Sequence, residues 1–343
     1  MTDLMNRFAG AGIPFIFVLD FDLKQPVVLP LAEAASQGIF YDFNGMTNCA
    51  PTGRPLPEFQ FRKFPVPYEK YREAFNTVRE NLLAGNSFLT NLTLPTQIET
   101  TLSLREIFEY SRARYKLLFR DRFVVFSPET FVTLDNNMIR SFPMKGTIDA
   151  TLPNARQLLL NDPKERAEHF TIVDLIRNDL GRVADRVTVE KFRYLDRVRT
   201  HEKDLFQASS RIAGHLQPRF ENRTGDLFAE LLPAGSITGA PKAKTLEIIR
   251  QAENYERGYY TGVFGFWDNN RVDSAVMIRF IEQTPDGLVY KSGGGITVYS
   301  DPRKEYQELI DKVYIPVIGG PVQSARIRPG AGSKDSKPFN MSN

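Results

Sequence analysis

The stretch YYTGVFGFWDNNRVDSAVMIRFIEQTPDGLVYKSGGGITV, residues 259–298, holds three apolar runs parted by Asp-Asn-Asn and Thr-Pro-Asp-Gly. Short runs rich in Val, Phe, Tyr and Ile, bounded by turn formers, read as strands, and consecutive ones as hairpins. On either side the apolar period lengthens to three or four. PKAKTLEIIRQAENYERG before it and PRKEYQELIDKVYIPV after it read as helices, each with proline at its start. Farther upstream, FRDRFVVFSPETFVTLDNNMIRSF contains two or three strands in hairpin order, and RVTVEKFRYLDRV and DLFQASSRIAGHL read as two more. DPKERAEHFTIVDLIRNDLG (162–181) and YEKYREAFNTVRENLLAG (68–85) read as long helices that glycine stops. Residues 1–66 mix short strand candidates (PFIFVLDF, PVVLPL, IFYDF) with frequent Pro and Gly. Helices that do not alternate strictly with hairpin strands favour α+β with antiparallel sheets over a doubly wound fold.

Composition narrows the class. With 42% hydrophobic and 25% charged residues in 343, the chain reads as an ordinary globular protein able to bury a large core. The formal charge is only +3 and basic residues are interleaved with acids, which argues against a nucleic-acid arm. Cys49 is the sole cysteine, so no internal disulfide framework exists and a reducing compartment is expected. The first residues lack the order of a secretory leader, and their apolar run is cut by Asp20 and Asp22 before it could span a bilayer. The expectation is a cytoplasmic protein with neither nucleic acid nor membrane as partner. No repeat or internal linker appears, so residues 1–320 read as one domain. Residues 321–343, rich in Gly, Pro, Ser and Lys, read as a disordered tail.

Several motifs could carry chemistry. In SFPMKGTIDA (141–150), Lys145 follows Pro-Met and precedes a glycine that would admit a ligand to the backbone; a surface lysine in a strand-end turn fits these ten residues as well. GSITGAPKAK (235–244) reads as a helix start with hydroxyls at Ser236 and Thr238, a flexible Gly239 and Pro241 in the first turn, either a carboxylate or phosphate site or an ordinary cap. Glu165 and Glu168, and again Glu305 and Glu308, share a helical face at a spacing of three. Mg²⁺ would relieve their repulsion, but so would solvent and the neighbouring Lys164, Arg166, Arg303 and Lys304. Glu129 precedes Lys145 by sixteen residues, at the far end of a strand–turn–strand that could bring an acid opposite the lysine. Arg279 lies in an apolar strand and calls for a carboxylate, from a ligand or from the protein. Gly293, Gly294 and Gly295 end a strand without side chains, which suits a planar ligand or a tight turn. Two nucleotide fingerprints fail: GAGIPF lacks a third glycine, and Gly235 to Gly239 is one residue short of a P-loop.

Taken in order, SPExF, PMKGT, ERAEHFTIVDLIRNDLGRV, GSITGAPK, GVFGF, VMIR and GGGITVYSDPRKEYQE resemble the chorismate-utilising enzymes, from about residue 68 to 318. The resemblance implies two stacked, largely antiparallel β-sheets flanked by helices, with the active site in a central cleft. It implies a core over 67–320, a shortened N-terminal part over 1–66, and Mg²⁺ bridging glutamates and the substrate's ring carboxylate. Among family members, lysine in PMKGT is similar to the aminodeoxychorismate synthases, whereas anthranilate synthases typically have alanine there. Isochorismate and salicylate formers use a lysine base at the position of Leu89, which leucine cannot replace. The likeness therefore implies that Lys145 attacks chorismate and ammonia displaces it, yielding 4-amino-4-deoxychorismate. It implies Glu129 as acid–base partner, and Glu168 and Glu308 on Mg²⁺ with Glu165 and Glu305 in support. Ser236, Thr238, Gly239, Arg279, the glycines 293–295 and Thr147 would bind substrate. The ammonia would come from a separate glutamine amidotransferase subunit. Three features depart from the pattern. Gln207 replaces a common histidine, Phe266 replaces a tyrosine expected near the carboxylate, and the N-terminal region is too short to expect a tryptophan pocket.

Overall fold

The computed structural model describes residues 1–199 and 204–317. The tail expected over 321–343 lies outside the described residues. The strand Phe15–Leu19 shows how the layers arise. All five of its side chains are buried, so no polar face reveals its period of two. Phe15, Phe17 and Leu19 join one core with the helices Thr2–Gly10, Pro163–Gly181 and Thr224–Leu231, while Ile16 and Val18 join another.

That other core lies between two nine-stranded sheets, in which every described strand pair is antiparallel. The first sheet runs Met144–Asp149, Asp204–Leu216, Met138–Ser141, Thr130–Asp135, Arg271–Val276, Val263–Asp268, Phe15–Leu19 and Val27–Pro30, with Ala184–Arg199 also paired to Asp204–Leu216. The second centres on Leu89–Thr100, Gly287–Ile296, Phe280–Thr284, Phe123–Ser127 and Tyr115–Phe119. Between them pack Ile16, Val18, Phe264 and Phe266 from one side, and Phe43, Phe119, Phe123 and Phe280 from the other. Phe123 stacks on Phe119 and Phe280 with ring centroids 4.8 and 4.7 Å apart. Each buried aromatic of this kind contributes about 1.5–3 kcal/mol of transfer free energy, so this layer is a main source of stability. The outer face of the second sheet is covered by Tyr68–Leu83, Leu104–Tyr110, Lys242–Ala252 and Pro302–Asp311. The result is a helix, sheet, sheet, helix stack of the expected α+β class. No described helix is long and apolar enough to cross a membrane.

Three local expectations are corrected. Phe123–Ser127 and Thr130–Asp135 do not form a hairpin; they belong to different sheets, and Pro128-Glu129 is the crossing between them. Arg279 is not inside a strand: the chain breaks at 277–279, where Arg279 takes φ 55° as it passes from Arg271–Val276 to Phe280–Thr284. The triglycine does lie at the end of its strand, Gly287–Ile296, and stays paired there, Gly293 opposite Thr93 and Gly295 opposite Asn91. The single helix start expected at 235–244 is three elements. A turn Gly235–Thr238 leads to a two-residue strand Gly239–Ala240 against Leu89 and Thr90, and the helix begins at Lys242. A helix at Thr2–Gly10 and another at Ala155–Asn161 had no counterpart in the sequence reading.

Candidate active site

Lys145 sits in a β-bulge. Met144 faces Ser209 and Thr147 faces Gln207, so Lys145 and Gly146 together oppose the single residue Ala208. An extra residue turns its side chain out of the regular alternation, and Gly146 at φ 87° supplies the backbone freedom. The lysine turned aside in this way places Nζ 2.8 Å from Glu168 Oε2. A β-carbon on Gly295 would stand 3.6 Å from Lys145 Nζ and 3.0 Å from Leu89 Cδ1. Amine, apolar wall and bare backbone thus converge. Burial alone would pull the Lys145 ammonium down, but Glu168 first, then Glu308 and Glu165, outweigh it and hold its pKa above the ordinary lysine value.

The glutamates come from two helices that begin alike. Asp162 caps Pro163–Gly181 by accepting from Glu165 N–H, and Asp301 caps Pro302–Asp311 by accepting from Arg303 and Lys304 N–H; each helix has proline in its first position. Both glutamate pairs lie within two turns of these starts, where the helix dipole favours negative charge. Glu168 and Glu305 are buried. Glu308 pairs with Lys312 at 2.6 Å, and Lys312 Nζ also donates to Gly293 O at 2.7 Å.

A second group gathers at the crossings between sheets. Glu129 accepts a hydrogen bond from Ser236 Oγ, and burial pushes its carboxyl pKa up against the lowering effects of Ser236, Arg279 and Lys312. The carboxylate in contact with Lys145 is therefore Glu168, not Glu129 as expected. Arg279 Nε donates to Tyr314 OH at 3.4 Å, and among the described residues it has no carboxylate within ion-pair distance. A half-buried guanidinium so placed suits a carboxylate ligand.

Other expected residues are placed differently. Thr238 is fully buried and donates to Ala234 O, so its hydroxyl serves the turn. Gly239, at φ 137°, lets the backbone pass Leu89 O, which a β-carbon would meet at 1.8 Å. Thr147 is exposed on the bulged strand. Phe266 lies in the inter-sheet core against Phe43, so its missing hydroxyl concerns packing rather than the carboxylate site. Lys312, Tyr314 and His169 were missed. His169 Nε2 is 2.7 Å from Ser210 Oγ, and burial pushes its pKa down to about 4, leaving a neutral ring at physiological pH. Two surface cavities, of about 480 Å³ beside Leu102 and Arg105 and about 100 Å³ beside Leu134 and Trp267, contain none of these residues.

The donor set can be tested against Mg²⁺. Four carboxylates are the hard oxygen ligands this ion takes, and bare glycines cradle them. A β-carbon on Gly146 would lie 2.7 Å from Glu165 Oε2, and one on Gly294 3.5 Å from Glu308 Oε1 and 3.6 Å from Glu305 Oε2. No three such side chains among the described residues are drawn together as a ready-made metal cage. Carboxylates from two helices, with room kept by glycine, fit an ion that completes its shell with water and substrate oxygens.

Comparison with known proteins shows the family. The model of the chorismate binding enzymes matches residues 34–317. The chain belongs to the chorismate-binding enzyme family. Among family members, a Haemophilus influenzae protein named "Uncharacterized PabA-like protein" is 50% identical over 314 residues, covering 92% of this chain and 95% of its own. Aminodeoxychorismate synthase component 1 of Klebsiella aerogenes is 32% identical over 260 residues, 71% of this chain and 56% of its own. The solved anthranilate synthase component I of Streptococcus pneumoniae superposes with TM-score 0.64 at 28% identity, over 75% of this chain and 59% of its own. The menaquinone-specific isochorismate synthase of Escherichia coli shares the fold, with TM-score 0.69 at 17% identity over 91% of this chain and 79% of its own.

Proposed function

We propose that this chorismate-binding enzyme converts chorismate and ammonia into 4-amino-4-deoxychorismate, a precursor of 4-aminobenzoate and folate, through a covalent adduct on Lys145. The observation that carries the reading is the bulge that turns Lys145 toward Glu168, beside Leu89 and Gly295. Relatives named aminodeoxychorismate synthase component 1, at 32% and 30% identity, support it.

The steps follow from the residues. Lys145 passes its proton by way of Glu168, the carboxylate within hydrogen-bond reach, to solvent, and its amine bonds to the ring carbon beside the carboxylate. The diene electrons shift and the allylic C–O bond breaks. Glu129, whose raised pKa suits a proton donor, protonates the departing hydroxyl, which leaves as water. Ammonia then bonds to that carbon, the electrons return, and the bond to Lys145 breaks to restore the free amine. The new ammonium gives one proton to Glu129, and Lys145 regains its own proton from solvent, which closes the cycle. Arg279 and Lys312 hold substrate carboxylates, and Ser236 holds Glu129 in place. Glu168 and Glu308, with Glu165 and Glu305 behind them, would hold Mg²⁺. Bound there, the ion would polarise the ring carboxylate and offset the negative charge that keeps Lys145 protonated.

The test is product identity. Protein incubated with chorismate, Mg²⁺ and ammonium should yield 4-amino-4-deoxychorismate by mass, and Lys145→Ala should abolish it while melting as a folded protein. Anthranilate or isochorismate as the main product would overturn the assignment. Near wild-type rates in Lys145→Ala would overturn the covalent route.

A further inference from the structure

Glu253 and Arg257 form an ion pair at 2.6 Å with side chains only 1% and 2% exposed, and no step above uses either. A buried pair of this kind costs several kcal/mol of desolvation per ion, and stability alone is a weak reason to keep it. Its bonds indicate another role. All five guanidinium donors of Arg257 are engaged. Nε and Nη2 reach the two oxygens of Glu253 at 2.8 and 2.6 Å. Nη1 donates to Ile237 O at 3.0 Å and Thr261 Oγ1 at 3.3 Å, and Nη2 donates to Asn91 O at 2.8 Å. Glu253 Oε1 in turn accepts from Thr93 N–H at 2.8 Å and from its hydroxyl at 2.9 Å.

These partners belong to both halves of the candidate site. Ile237 is in the four-residue turn whose Ser236 holds Glu129. Asn91 and Thr93 lie opposite Gly295 and Gly293. Gly295 is the backbone beside Lys145 Nζ, and Gly293 O accepts from Lys312. A planar, rigid fork therefore ties the acid side of the site to the lysine side through backbone carbonyls, which no other residue type could bridge with five fixed donors.

We propose that Arg257, held by Glu253, is a positioning residue that fixes the spacing between the Ser236–Glu129 group and the Lys145–triglycine group. The proposal rests on the reading above that these two groups act on one substrate. Catalysis falls steeply when reacting groups drift by an ångström, so the clamp acts on turnover without touching chorismate.

The experiment is a double-mutant cycle. Wild type, Arg257→Lys, Ser236→Ala and the double variant are assayed with chorismate, Mg²⁺ and ammonium, and each is melted. Lysine keeps the charge but has three donors where five are used. Arg257→Lys should lower kcat about tenfold or more with KM for chorismate little changed. In that background Ser236→Ala should cost at least about fivefold less than in wild type, because Ser236 is already misplaced. Penalties that simply multiply would overturn the clamp and leave a structural pair. If Arg257→Lys does not melt cooperatively, Glu253→Gln, which keeps the shape, takes its place in the cycle. If wild type itself makes no aminodeoxychorismate, the functional reading fails, and amide hydrogen exchange decides the clamp separately. Faster exchange confined to residues 89–93 and 235–240 supports it; unchanged or global exchange overturns it.

Discussion

Lys145 shows how far one residue's neighbours can be inferred from a sequence. The motif that holds it could be read, but the sign of its environment could not. Desolvation alone would favour the neutral amine, whereas the carboxylates of Glu168, Glu308 and Glu165 favour the ammonium. Burial of a base and the approach of acids push in opposite directions, and only coordinates say which is closer. Replacing Glu168 or Glu308 by glutamine removes one charge while keeping the shape. Each variant should weaken both Mg²⁺ dependence and chorismate affinity, by about tenfold or more for a lost carboxylate ligand. Metal titrations followed by rate and by isothermal calorimetry check this, and unchanged curves in both variants would remove these two carboxylates from the metal and substrate site. Lys312 and Tyr314 escaped notice because nothing in an amphipathic helix end marks one lysine or tyrosine as inward. Their position beside Gly293 and Arg279 depends on contacts between distant segments.

At the scale of elements, legibility followed periodicity. The helices Tyr68–Leu83 and Pro163–Gly181 matched their expected spans because caps and glycine stops are local. Glu129 and Arg279 were put in a hairpin and a strand because a crossing between stacked sheets uses the same apolar residues as the strands it joins. GSITGAPK was misread for a related reason: Gly239 pairs with Thr90, 149 residues away in sequence, and no local rule reports that. Two glycines separate function from stability at this scale. Gly146→Ala would put a β-carbon 2.7 Å from Glu165 Oε2 at the bulge, where the far end of a side chain can yield. It should disturb Lys145 and lower kcat by about tenfold or more, with a loss of stability of about 1–2 kcal/mol from the positive φ of 87°. Gly239→Ala meets backbone, Leu89 O at 1.8 Å, in a conformation that only glycine adopts readily. It should cost on the order of 3 kcal/mol or more and lower the melting temperature by several degrees. Parallel melts and kinetics of the two variants check the contrast.

For the proposed reaction, the source of the nitrogen is a question for the whole molecule. A glutaminase needs an activated thiolate, yet Cys49 is the only cysteine and no Gly-x-Cys-x-Gly elbow occurs in the sequence. Cys49 packs on the outer face of the second sheet with Leu104 and Ile107, where Arg105 Nη2 reaches its sulfur at 3.3 Å. It belongs to a different layer from the bulge that carries Lys145, and the side chain hydrogen-bonded to its sulfur is the Arg105 guanidinium, which cannot take a proton from it. Ammonium holds its proton at neutral pH, so free ammonia is scarce there and an efficient enzyme gains from a neighbouring source. We therefore expect a separate glutamine amidotransferase subunit to supply the ammonia. The purified chain should turn over chorismate with ammonium, faster as pH rises and more of the nitrogen becomes the neutral nucleophile. With glutamine at the same concentration it should give no product above background until a glutaminase is added. Robust glutamine-dependent turnover by the homogeneous chain would defeat this expectation, because these 343 residues offer no other thiol to open the amide.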